Sequence, residues 1–126
     1  MRDEDQLREH MAGLGARYLT RTLGELRHIG ELHEQLAAGS PGALQDLERA
    51  AHKIHGSSGM FGFHELSEQA GAVEHLAARL RGGECPEHLR RLGDDELRQR
   101  LAASVAQLDR VARTTAQAFG IDPHVG

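Results

Sequence analysis

Leucine and alanine recur three or four positions apart along most of this chain, and that period constrains the fold more than any other feature of the sequence. The first run predicts an amphipathic helix over about residues 14–38, with a shorter helix over about residues 4–12 before it. The apolar positions of the first run are Leu14, Tyr18, Leu19, Leu23, Leu26, Ile29, Leu32 and Leu36. Because each helix carries one apolar stripe, it is expected to bury that stripe against other helices.

Clusters of glycine, proline and serine divide the rest of the sequence into three further helices. The breaks are Gly39-Ser40-Pro41-Gly42, Gly59-Met60-Phe61-Gly62, and Gly82-Gly83 followed by a polar connection with Pro86 and Gly93. Ser40 is expected to cap the second helix, with Pro41 in its first turn, and Asp94 or Asp95 to cap the last. Four helices with short connections and no convincing strand predict an all-α antiparallel four-helix bundle with a short extra N-terminal helix.

The length of 126 residues fits a single domain over residues 1–126, with the bundle core at about 14–119. Apolar residues make up 39% of the chain, and leucine and alanine dominate them rather than the residues that strands favour. With 3% aromatic residues and no tryptophan, the core must be aliphatic.

Charge and cysteine content narrow the function classes. The net charge of -4 is spread along the chain without a basic block, so neither nucleic acid nor an anionic membrane is expected as a partner. No apolar run approaches the roughly 18 residues of a membrane span. Cys85 is alone and no secretory signal opens the chain, which together predict a cytoplasmic protein without an internal disulfide.

The chemistry of the chain is concentrated between residues 51 and 62, around His52. The core stripe of this helix is Leu44, Leu47, Ala51, Ile54 and Ser58. At about 100° per residue, the centre of that stripe lies roughly 120° from His52, which predicts an exposed imidazole. Gly56 and Gly59 adjoin it, and a glycine inside a helix costs about 1 kcal/mol relative to alanine. Clearing this surface would give a partner access to the imidazole.

A partly neutral imidazole can attack phosphorus, and the product is labile enough to pass the group onward. His52 is therefore the predicted phosphoacceptor. Phosphoryl transfer also needs charge neutralisation, for which Arg49, a protonated His55 and the Ser57 hydroxyl are the candidates. Glu74 on the third helix is the candidate for accepting the proton of the other imidazole nitrogen, which would fix the tautomer.

This segment resembles the histidine-containing phosphotransfer (HPt) domains of bacterial phosphorelays. That family has an acceptor histidine, a basic residue at the third position after it, glycine at the fourth, small residues next and glycine at the tenth. Those places hold His52, His55, Gly56, Ser57 with Ser58, and Gly62. Leu66 and the Val73-Glu74 pair also fall where the family has a leucine and a polar residue. The family's basic residue is usually lysine, whereas His55 carries full positive charge only when it is protonated.

The resemblance implies a monomeric carrier that receives phosphate from the aspartate of a response-regulator receiver domain and gives it to another. A sensor or hybrid histidine kinase would supply the phosphate. The Mg²⁺ ion would belong to the receiver, so no cofactor or metal of the chain's own is expected. The chain has no nucleotide-binding domain or phosphate-binding glycine-rich loop, and we therefore expect a phosphocarrier rather than an enzyme.

Two other functions compete with this interpretation. A metal-binding bundle would use Glu48, His52, His55 and possibly Glu74, although His52 points outward and no second Glu-x-x-His pair stands on another helix. A helical scaffold would bind receivers without accepting phosphate. His64-Glu65-Leu66 is similar to the opening of the phosphorylation box of histidine kinases, but the residues expected next are absent, so it is interpreted as a helix start.

Overall fold

The computed structural model describes residues 2–124, and four helices account for most of them. The helices are α1 (Arg2–Ala37), α2 (Ala43–Met60), α3 (His64–Arg81) and α4 (Asp94–Ala118), with one 3-10 turn at Glu87–Leu89 before α4. No strand occurs between residues 2 and 124. None of the helices in this part of the chain is long and apolar enough to cross a membrane.

The four helices form a closed antiparallel bundle, which confirms the predicted fold. Each helix packs against its neighbours in the chain, and α1 also packs against α4 to complete the ring. The interior is largely aliphatic, as the composition predicts, with Tyr18 as a buried aromatic side chain, and each predicted stripe contributes to it. Its most deeply buried large side chains are Leu19, Ile29, Leu47, Ile54, Leu66, Leu97, Leu101, Leu108 and Val73.

The predicted N-terminal helix is helical, but it is not a separate element. Residues 4–12 belong to α1, which runs without interruption through Gly13 and Gly15. Gly15 is buried, and a Cβ added there would lie 3.4 Å from ring atoms of Phe63 and Phe119. This glycine therefore lets aromatic rings approach the helix and does not end it, because one glycine costs a long helix only about 1 kcal/mol.

The predicted caps of α2 and α4 are wrong by one or two residues. Gly42, with φ 81°, occupies the N-cap of α2, and Ser40 lies before it. Only glycine adopts this left-handed conformation at low cost, so the chain geometry of the turn decides the position. Gly93 precedes α4, and Asp94 and Asp95 are its first two residues. At these positions the two carboxylates stabilise the helix, because they lie at the positive end of its dipole.

The turn between α2 and α3 sets how the two helices face each other. Phe61, Gly62 and Phe63 connect them, and α3 begins at His64, which confirms the predicted helix start. Gly62 has φ 80°, and the Phe63 N–H donates to the Ser58 carbonyl at 2.9 Å. The predicted end of α3 is also confirmed, since Gly82 follows its last residue.

Candidate functional site

His52 lies on the outer surface of α2. The stripe predicted for this helix is buried at Leu47, Ala51, Ile54 and Ser58, and the His52 side chain keeps 72% of its surface exposed. The predicted exposure of the His52 imidazole is therefore confirmed, because the helix is regular and its buried face points at α1 and α3.

Glu74 of α3 holds two imidazoles at once. Its Oε2 atom lies 2.5 Å from His52 Nδ1, and its Oε1 atom lies 2.9 Å from His55 Nδ1. A carboxylate accepts hydrogen bonds at both oxygens, so both rings donate Nδ1–H to it. The Nε2 atom of His52 is then left with its lone pair when the ring is neutral. The structure thus brings Glu74 to the position that was predicted for it.

The Glu74 carboxylate is poised to stay ionised. Only 17% of its side-chain surface is exposed, and that burial by itself raises its pKa. The hydrogen bonds from His55 and His52, together with any positive charge on the two rings, act the other way and hold the Glu74 pKa below its usual value. The charged carboxylate therefore prevails at neutral pH.

The His55 ring packs against α3, where it contacts Glu74 and Gly71. A Cβ added to Gly71 would lie 3.2 Å from both Cε1 and Nε2 of the His55 ring, so the ring covers the bare backbone of that glycine. Ser67 Oγ donates to the His55 carbonyl at 2.8 Å. The sequence prediction missed Gly71 and Ser67. The sequence signal that could have found Gly71 is a glycine inside a helix, three residues before Glu74.

Arg49 and His52 share the edge of an open groove between α2 and α3. The groove has a volume of about 370 Å³, and its lining residues are Gln45, Glu48, Arg49, His52, Glu74 and Arg81. Arg49 is exposed and forms no ion pair with the part of the chain that the structure describes. Arg81 was not predicted as a site residue. Its Nε atom donates to Glu48 Oε2 at 2.5 Å, and a second N–H donates to Oε1 at 2.9 Å.

The structure does not bring Ser57 to the His52 imidazole. Ser57 Oγ donates to the Lys53 carbonyl at 2.7 Å and lies 2.7 Å from the Tyr18 hydroxyl. Since the single Ser57 proton is used on Lys53, Tyr18 donates to Ser57 and accepts from the buried Ser58, 2.7 Å away. Ser57 faces α1 because five helical residues turn it about 140° from His52.

The three access glycines have different surroundings. A Cβ on Gly56 would meet none of the described atoms outside its own helix within 4 Å, so this glycine clears open surface beside His52. At Gly59 the added atom would lie 3.5 Å from Ser67 Oγ, which is ordinary contact. Gly62 is open too, but its positive φ already explains why a glycine stands there.

The four residues of the metal hypothesis do not come together as a ligand set. Glu48 turns to Arg81, while Glu74 is occupied by the two imidazoles. Within residues 2–124, no group of three or more histidine, cysteine, aspartate or glutamate side chains is arranged to hold a metal ion.

An exposed imidazole, oriented by a carboxylate from the next helix of a four-helix bundle, is chemically able to accept a phosphoryl group. The Hpt domain family model matches residues 17–115, more than three quarters of the chain. The chain belongs to the Hpt domain family and has a phosphotransfer role in two-component signalling. The comparison with curated proteins gives no match, and the comparison with solved structures gives none.

Proposed function

We propose that this protein carries a phosphoryl group on Nε2 of His52, which takes it from the aspartate of one receiver domain and passes it to the aspartate of another. The observation that carries this proposal is the 2.5 Å contact between His52 Nδ1 and Glu74 Oε2 at a ring that is 72% exposed. The contact commits Nδ1 to donation, so Nε2 is the free nucleophile, and exposure lets a partner reach it.

The transfer step follows from this tautomer. The lone pair of His52 Nε2 attacks phosphorus of an aspartyl phosphate, and the new N–P bond forms as the bond from phosphorus to the aspartyl oxygen breaks. The electron pair of the broken bond leaves on the aspartate carboxylate. No proton has to move, because Nδ1–H stays in its hydrogen bond to Glu74. The return step is the same sequence in reverse.

Glu74 then acts on the product more than on the reactant. Once Nε2 carries phosphorus while Nδ1 keeps its hydrogen, the His52 ring is positively charged. The hydrogen bond to the ionised Glu74 becomes charge-assisted on both sides, which strengthens it. Glu74 is thus a positioning residue that also stabilises the phosphorylated ring.

The partner would approach over Gly56 and the exposed His52 edge, where a Cβ added to Gly56 would meet none of the described atoms outside its own helix within 4 Å. We propose that the receiver brings both the aspartate and the Mg²⁺ ion that neutralises the phosphoryl oxygens. The chain then acts as a carrier between receiver domains, in a relay whose phosphate a histidine kinase supplies, and it needs no nucleotide of its own.

Incubation with phosphorylated receiver domains of the source organism and Mg²⁺ tests this proposal. We expect acid-labile, base-stable label on the protein, and its loss in His52→Ala. His28→Ala is the matched control, because His28 is another exposed helical histidine with a carboxylate nearby, its Nδ1 being 4.0 Å from Glu31. Label retained by His52→Ala, or no label from any receiver of the organism, would contradict the proposal and leave the scaffold function ahead.

A further inference from the structure

The phosphoryl group on His52 needs positive charge that His55 is poorly placed to supply. His55 donates Nδ1–H to Glu74, and its Cε1, Nε2 and Nδ1 atoms would all lie within 3.2–3.4 Å of a Cβ added to Gly71. Although 40% of the His55 side chain is exposed, both of its ring nitrogens therefore lie against α3 and not toward the outer side of His52. A dianionic phosphoryl group leaves strong acceptor oxygens to be satisfied by other donors.

The groove beside His52 offers those donors. On α2, Gln45, Arg49 and His52 occur at intervals of four and three residues, which places them on one face over two helical turns. On α3, Arg81 follows Glu74 by seven residues and so lies two turns away on the same face. Because the helices are antiparallel, Arg81 meets Glu48, which lies one turn before His52 on α2, so Arg81 stands across the groove about one turn from His52.

The guanidinium of Arg81 is paired with the Glu48 carboxylate. Two hydrogen bonds, of 2.5 and 2.9 Å, join them in the bidentate geometry that arginine also offers to phosphate. Arg81 remains 42% exposed in this pair and can exchange its partner without unfolding any element. A phosphoryl group carries more negative charge than one carboxylate, so it can compete for the same guanidinium.

We propose that this groove is the binding site for the phosphoryl group of phospho-His52, with Arg49 and Arg81 as its cationic donors and Glu48 as a built-in competitor for Arg81. The proposal rests on the function proposed for His52. It assigns to the two arginines the charge compensation that a lysine in the place of His55 would otherwise provide. Phosphorylation then exchanges the Glu48–Arg81 pair for a phosphoryl–Arg81 pair.

Titration of the phosphoryl group by ³¹P NMR tests the groove without any receiver. The protein is phosphorylated chemically with phosphoramidate, and the phospho-His52 signal is identified by its absence in His52→Ala. A neighbouring cation favours the dianion, so we expect Arg81→Gln and Arg49→Gln to raise the pH midpoint of this signal. Glu48→Gln is expected to lower it, and to lower it much less when Arg81→Gln is also present.

Arg100→Gln and Glu96→Gln are the matched controls, because these residues form an exposed ion pair of 3.0 Å on α4. They are expected to leave the midpoint at its wild-type value. With a receiver that labels His52, Arg81→Gln should also lower the equilibrium ratio of phospho-His52 to phosphoreceiver by about threefold or more, as expected for one partly exposed charge pair.

Three results would overturn the groove proposal. They are equal midpoints in wild type and Arg81→Gln, shifts of the same sign in Arg81→Gln and Glu48→Gln, and a Glu48→Gln shift that is as large without Arg81 as with it. Failure of every receiver to label wild-type protein would instead refute phosphate transfer through His52. Because the chemical titration does not use a receiver, the two failures can be told apart.

Discussion

Replacing Gly56 by alanine should make the protein more stable and a poorer phosphate carrier. Gly56 lies inside α2, and an added Cβ would contact no described atom beyond its own helix within 4 Å. The substitution therefore introduces no clash and removes the helix-propensity penalty of glycine, about 0.5–1 kcal/mol. For a chain of this length, with about 2.1 cal/mol/K of unfolding entropy per residue, this corresponds to a rise in Tm of roughly 2–4 °C.

Transfer should change in the opposite direction. The new methyl group would stand one turn from His52, about 5–6 Å away between Cβ atoms, on the surface where the receiver docks. Inserting a methyl group into a closely packed contact costs about 1–3 kcal/mol, so kcat/KM for transfer from a receiver should fall at least about fivefold. Gly56→Leu keeps the helix propensity and extends farther, so its loss of transfer should be larger.

Thermal unfolding and single-turnover transfer from a phosphorylated receiver measure the two effects. Gly30→Ala is the matched control, because Gly30 is inside α1 and an added Cβ there is equally free of neighbours among the described residues. It should raise the Tm by a similar amount without changing transfer. Wild-type transfer by Gly56→Leu, or an equal loss in Gly30→Ala, would refute the docking role of Gly56.

Three further predictions concern the residues around the site. The Glu74 pKa is lowered in the folded state, so Glu74 contributes stability at pH values above its usual pKa of 4.5, and this stability is lost as pH falls through the folded pKa. The free energy of unfolding in urea should therefore fall more in acid for wild type than for Glu74→Gln, and parallel pH curves would contradict this. Gly71→Ala should stabilise less than an alanine in open helix, because the His55 ring must move by a few tenths of an ångström; an equal gain in Tm would show that the ring yields freely. Tyr18→Phe should cost about 1–3 kcal/mol in chemical denaturation, because the buried Ser58 loses its partner, with transfer unchanged. Loss of transfer from a folded Tyr18→Phe protein would return Ser57 to the phosphate site.

The fold could be predicted from the sequence because one periodic pattern is repeated in every helix. A stripe of leucine and alanine decides which face of a helix is buried, and the glycine clusters decide where each helix ends. The errors occurred where a local signal was ambiguous. Ser40 is a good cap in isolation, yet Gly42 takes that place because the turn needs a positive φ. The sequence also predicted separate helices over about 4–12 and 14–38, yet α1 is one helix from Arg2 to Ala37.

The sequence by itself determined that His52 is exposed and that Gly56 clears the surface beside it. Both are properties of a single regular helix, whose faces follow from residue spacing alone. The sequence also indicated Glu74 as the partner of the imidazole, but only the tertiary structure decided that His55 shares this carboxylate and that Ser57 stays away from the ring. The packing of α2 against α3 joins His52 and His55 to one Glu74 carboxylate and places Arg81 across the groove. The relative alignment of two antiparallel helices is set by the turn between them and by core packing, and neither leaves a mark in the period of one helix.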